Sequence, residues 1–190
     1  MLVHEAQFTL GLGEGGYLIG FTEHDDYPDD MPYGWRCGPV GAAGAVVLPV
    51  TEDGPLRLTL QIHDSQPAPE PDDRWETAEE ISLLAEDSHI HLATLDPGEV
   101  ADAWPQGLPR PQMPLPSSHR GWTRMRLYCH ADDPEPGVGG HEERHLIQLW
   151  RAPATAPVHP SLSEEDRQAR AEYAAARTGP AQEYAIDFPQ

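Results

Sequence analysis

The sequence predicts an all-β fold, an antiparallel β-sandwich of about eight strands closed by a single C-terminal α-helix. Three observations predict it. Short runs of apolar residues alternate with polar ones at the period of two that a half-buried strand requires. Turn-forming residues, among them 21 prolines and 17 glycines, separate those runs. Helical periodicity with capping residues occurs only near the C-terminus.

The first run begins after Glu5, where Ala6, Phe8, Leu10 and Leu12 alternate with polar or small residues. A second, "YLIGFT", follows the glycine-rich "GEGG", and the pair reads as a hairpin because glycine supplies the positive φ of tight turns. Residues 23–39, "EHDDYPDDMPYGWRCGP", hold three prolines and dense acids without periodicity, which reads as a long surface loop. "AVVLPVT" and "LRLTLQIHD" come next; in the latter Leu56, Leu58, Leu60 and Ile62 face inward and Arg57, Thr59, Gln61 and His63 outward.

Beyond the proline-rich "SQPAPEPDD", the run "WETAEEISLLA" fits a strand or a short helix, and its aromatic start favours the strand. "HIHLATLD" reads as another strand, and residues 96–116 as a proline-rich crossing. "GWTRMRLYCHA" sets Thr123, Met125, Leu127 and Cys129 on one face and Trp122, Arg124, Arg126 and Tyr128 on the other. After the turn "DDPEPGVGG" the β-prone "HLIQLW" closes the sandwich. Residues 1–152 are thus read as the sandwich domain. Residues 153–190 form a proline-rich link, a helix over 162–177 and a tail; Ser161 and Glu164 make a capping box for that helix.

Thirty-two acids against 12 Lys and Arg give a formal charge of −20, which repels nucleic-acid phosphates and anionic membranes and steers a basic protein toward this one. No direct nucleic-acid or membrane partner is expected. With two cysteines, Cys37 and Cys129, and neither a leader pattern nor a bilayer-length apolar run, the chain reads as soluble, reduced and cytoplasmic.

Four motifs bear on chemistry. His141, Glu142 and His145 spell H-E-x-x-H, the zinc-hydrolase pattern in which a helix places both histidines on one face within reach of a metal. If "ERHLIQLW" is a strand, the two histidines stand about 13 Å apart along it and cannot share an ion. His89 and His91, two apart on a strand, point the same way and form the alternative metal pair. "GLGEGG" matches G-x-G-x-x-G, but a strand rather than a helix follows, so its glycines are read as turn formers. The acids Glu23, Asp25, Asp26, Asp29 and Asp30, with Tyr27, Tyr33 and Trp35 as aromatic anchors, form the candidate contact surface for a basic protein. No catalytic residue, bound metal or cofactor is assigned.

"WETAEEISL", "HIHLATL", "LPSSHRGWTRMRLYC" and "HLIQLWRAP", together spanning about residues 75–152, resemble the β-sandwich proteins of the competence protein J family. The resemblance implies a small acidic protein that inhibits a nuclease by occupying it, and it treats "HLIQLW" as a strand. The acidic loop, the crossing at 105–116, the "DDPEPGVGG" insertion and the terminal helix have no counterpart in that pattern. The expected function is therefore a non-enzymatic partner-binding protein, of inhibitor or immunity type, that masks a basic protein such as a nuclease or toxin. The alternatives are a zinc-dependent hydrolase using one of the histidine motifs, or a structural subunit that connects through its terminal helix.

Overall fold

A computed structural model describes residues 1–13, 15–23, 36–71, 74–75, 77–85, 88–96, 99–114, 121–133, 135 and 137–158. All of them belong to the first of two compact units, Met1–His159. The helix expected over 162–177 lies outside the described residues. Among the described residues there is no helix, and therefore none long and apolar enough to cross a membrane.

The described residues form eleven strands: β1 (Leu2–Leu12), β2 (Tyr17–Gly20), β3 (Cys37–Val40), β4 (Gly44–Val47), β5 (Thr51–His63), β6 (Thr77–Ala85), β7 (His91–Asp96), β8 (Glu99–Asp102), β9 (Gly121–His130), β10 (Gly137–Val138) and β11 (Arg144–Arg151). One sheet has the order β1-β5-β11-β9-β6, with β10 also on β5, and the other runs β3-β4-β2-β7-β8. Their facing sides share one core. Leu56, Leu58, Leu60 and Ile62 of β5, Met125 and Leu127 of β9, and Ile147 and Leu149 of β11 meet Tyr17 and Ile19 of β2, Val47 of β4 and Leu92 of β7. The alternation expected in β5 and β9 is the alternation observed, because a strand sends successive side chains to opposite faces.

The structure corrects four sequence expectations. β1 and β2 are not a hairpin: β1 pairs with β5 from Leu2 to Leu12, while β2 lies between β4 and β7 in the other sheet. The glycine-rich link carries the chain between layers, and Gly15 turns it with φ +69° while its amide donates to the Glu52 carbonyl. The sandwich is mixed rather than antiparallel, because β11 runs parallel to β5 as well as antiparallel to β9. The expected loop at 23–39 ends in a strand, β3, with Cys37 fully buried and Pro39 on the sheet's edge strand, where a missing N–H is tolerated. Within the expected crossing at 96–116, Glu99–Asp102 pairs with β7 as β8.

Candidate functional site

"GGHEERHLIQLW" is an interrupted strand. β10 and β11 both run parallel to β5, and between them the Gly139 amide donates to the Asp53 carbonyl and the Arg57 amide to the Glu143 carbonyl. Gly139 at φ +112° and Glu142 at φ 49° make the interruption, so regular alternation resumes only beyond Glu142. Glu143 and His145, two apart, then point to the same side, into the core, at 1% exposure each. Glu142 points outward and pairs with Arg57 at the surface. The helix that a zinc hydrolase needs is absent, and the residue beside His145 is Glu143, not the glutamate of the motif.

Glu143, His145 and Tyr17 form a closed relay between the sheets. His145 Nε2 is 2.9 Å from Glu143 Oε1, and Nδ1 is 2.8 Å from the Tyr17 hydroxyl. The Glu143 carboxylate also accepts the amides of Val50 at 3.0 Å and Thr51 at 2.8 Å, where β5 begins. Burial by itself raises the Glu143 pKa, yet the hydrogen bond and charge of His145 and the two amides outweigh it and hold the carboxyl at about 2. Burial lowers the His145 pKa against the pull of Glu143, and burial raises that of Tyr17.

At neutral pH, where burial keeps His145 unprotonated, one proton arrangement satisfies all three groups. Ionised Glu143 accepts Nε2–H of neutral His145, and Nδ1 accepts the Tyr17 O–H. Both ring nitrogens are thereby occupied, and no substrate reaches them without parting the sheets. The relay is a fastener, tying β11 to β2 and to the start of β5. Glu79 on β6 repeats the device: its carboxylate accepts the amides of Arg36 at 3.0 Å and Cys37 at 2.8 Å, pinning the start of β3. Both cysteines lie in the interior with no disulfide between them, and burial raises the pKa of the Cys37 thiol.

The other histidines diverge. His141 lies within 3.8 Å of Asp133. His89, before β7, bridges to Gln112, and His91, the first residue of β7, faces Glu23 at 3.8 Å. His89 and His91 are engaged on different neighbours, both ring nitrogens of His141 are buried without a hydrogen-bond partner, and among the described residues no three His, Cys, Asp or Glu side chains stand close enough to hold a metal. Of the acidic contact residues, Glu23 is described, with its side chain 80% exposed. Asp25, Asp26, Tyr27, Asp29, Asp30, Tyr33 and Trp35 lie outside the described residues.

Sequence reasoning missed a polar row on the outer face of the first sheet. Glu5, Gln61, Gln148, Arg126 and Glu80 stand in direct register across β1, β5, β11, β9 and β6. Their side chains bond in series: Gln61 to Glu5 at 2.8 Å, Gln148 to Gln61 at 3.1 Å, Arg126 to Gln148 at 3.4 Å and Arg126 to Glu80 at 2.6 Å. Glu80 also takes Arg124 Nε at 3.0 Å, so one carboxylate is shared by two guanidinium groups that are each 5% exposed. Arg126 lies over the Trp150 ring at 4.9 Å.

Two proline-rich segments cover this face. Arg126 donates to the Pro67 carbonyl and the Glu70 amide to the Tyr128 hydroxyl, while Arg124 holds the carbonyls of Thr155 and Ala156. The signal available in sequence was the pairing of polar outward positions on strands flanked by proline-rich links. Register, which sequence does not give, was needed to align them.

No protein-family model matches the chain, and none of the curated proteins matches it in sequence. Among solved structures its fold is similar to that of ComJ from Bacillus subtilis, an inhibitor of the DNA degrading activity of NucA. The TM-score is 0.50 and the identity 9%, over 80% of this chain and 99% of ComJ. A protein described as crocagin biosynthetic gene J matches at TM-score 0.39 and 13% identity, over 78% of this chain and 97% of its own. The ComJ-like fold implied by the sequence resemblance is the fold observed.

Proposed function

We propose that this chain is a binding protein of the inhibitor type that masks a basic protein, such as a nuclease, by occupying it rather than by chemistry. The observation that carries the reading is charge: 32 acids against 12 Lys and Arg give −20 on 190 residues. A field of that sign raises the encounter rate with a cationic surface and lends little to nucleic-acid or anionic-membrane binding. The fold supports the same reading, because the similar solved structure, ComJ, inhibits a DNA-degrading activity. So does the interior, where the Tyr17, His145 and Glu143 cluster is sealed and spent on fastening strands.

The contact surface proposed is the acidic stretch opened by Glu23 and continued by Asp25, Asp26, Tyr27, Asp29, Asp30, Tyr33 and Trp35. The acids steer, and the aromatic residues supply the anchoring area that interfaces concentrate in a few side chains. The test is the association rate with a basic protein recovered from host extract. Between about 0.02 and 0.3 M salt that rate falls at least about tenfold, as the screening length contracts. Replacing Asp25, Asp26, Asp29 and Asp30 together by Asn lowers the low-salt rate and flattens the salt dependence. A rate indifferent to salt, or one untouched by the quadruple change, refutes the proposal.

A further inference from the structure

Beyond Arg151 the chain crosses the outer face of the first sheet and reaches the edge of β6, and almost everything that holds it there grips its main chain. The Ala152 amide donates to the Trp122 carbonyl at 3.3 Å. Ser82 Oγ accepts the Thr155 amide at 3.0 Å and donates to the Thr155 carbonyl at 3.2 Å. Arg124 donates to the carbonyls of Thr155 at 3.2 Å and Ala156 at 3.1 Å. Glu80 and Val158 exchange amide and carbonyl at 2.9 and 2.8 Å, an antiparallel bridge on the side of β6 turned away from β9. The side chains of residues 153–158 are all exposed. The cradle therefore reads an extended backbone, as a sheet edge does when it accepts an added strand.

Contacts within the sheet, apart from the strap, orient the cradle. Arg124 is 4% exposed, its Nε is fixed by Glu80, and one of its terminal nitrogens donates to Ser82 at 3.0 Å. An empty cradle leaves the Arg124 guanidinium donors without their carbonyls and uncovers the Glu80 amide and carbonyl on a bare edge. It calls for an extended segment with carbonyls at two successive positions and a free amide and carbonyl two residues on. Residues 155–158 have that pattern, and Pro153 and Pro157 fall where no N–H is used.

We propose that the β6 edge, with Ser82 and Arg124, is a receptor for an extended peptide, filled within one chain by residues 153–158 and between chains by the same residues of a second copy. Reciprocal exchange preserves every contact, since each copy offers the same strap and cradle. Opening extracts no apolar side chain from the core, because the strap buries none. The tether keeps the strap at an effective concentration of about 1 mM, so the single-chain form prevails in dilute solution and exchange grows with protein concentration. The inference is independent of the basic partner.

Complementary full-length variants test it. Ser82→Ala with Arg124→Gln has an intact strap and a disabled cradle; Thr155→Pro with Val158→Pro has an intact cradle and a strap without its two amides. Each alone is expected to stay monomeric by light scattering, and a one-to-one mixture to form a heterodimer with at least about tenfold greater affinity than either shows for itself. A mixture of folded variants that remains monomeric at about 1 mM overturns the proposal. If a variant does not fold, the unmodified full chain is titrated with a synthetic peptide of residues 152–158 to several times that concentration. The amide resonances of Thr155 and Val158 in the protein's own strap, displaced from Ser82 and Glu80, are expected to shift, and strap resonances that stay fixed overturn it equally.

Discussion

Replacing Glu143 by Gln tests whether the buried relay fastens the fold. The carboxyl falls from its ordinary 4.5 to about 2 in the folded protein, and at about 1.4 kcal/mol per tenfold change this corresponds to about 3 kcal/mol of stability. The sign follows from the direction. A carboxylate favoured by folding contributes fully above about pH 4.5 and loses that contribution as the pH falls toward 2. Glutamine does not titrate, and its NH2 group meets the Val50 or Thr51 amide donor against donor. Urea unfolding at neutral pH is expected to show the variant about 3 kcal/mol less stable, with the gap narrowing below pH 4.5 to about 1 kcal/mol or less near pH 2.5. Burial lowers the His145 pKa, so its own contribution is lost as the pH falls below about 6.5, and the loss is larger in the variant, which lacks the Glu143 carboxylate that opposes the shift. A gap that stays constant from pH 7 to 2.5 refutes the reasoning, because the carboxylate charge then does no work in the fold.

Glu80→Gln is expected to lower stability by about 3–5 kcal/mol in the same assay, because Arg124 and Arg126 lose their shared anion while staying buried. Ile147→Ala removes a fully buried side chain on the strand between β5 and β9 and is expected to cost about 2–5 kcal/mol; a loss under 1 kcal/mol means that the sheets close over the gap. One equivalent of zinc is expected to leave the unfolding midpoint where it was, since Glu143 and Tyr17 occupy both nitrogens of His145. Stoichiometric zinc uptake that His141→Ala abolishes counts decisively against this geometry.

How much was legible in the sequence varies with the range of the physics. Alternation in "LRLTLQIHD" and "GWTRMRLYCHA" gave β5 and β9 and their core faces, because strand periodicity is written locally. The same rule gave "HLIQLW" as a strand and so weakened the H-E-x-x-H reading. Cys37–Val40 and Glu99–Asp102 escaped because they are short edge strands set among prolines and acids, the first held by the carboxylate of distant Glu79 and the second by a tight ladder with the strand just before it. The glycine-rich link was misread because a turn within a sheet and a passage between sheets need the same backbone freedom. The acids, the prolines and the histidines were plain to see, but their partners were not.

By itself the sequence determined the β class, the inward faces of the long strands, and the charge that sets what this protein attracts and repels. Those depend on composition and on neighbours one or two residues away. Tertiary structure alone decided that Glu143 rather than Glu142 meets His145, that Glu5, Gln61, Gln148, Arg126 and Glu80 fall in one row, and that the segment after Arg151 seals the β6 edge. Each of these depends on register between strands far apart in the chain, and a shift of one residue reverses every side chain's face.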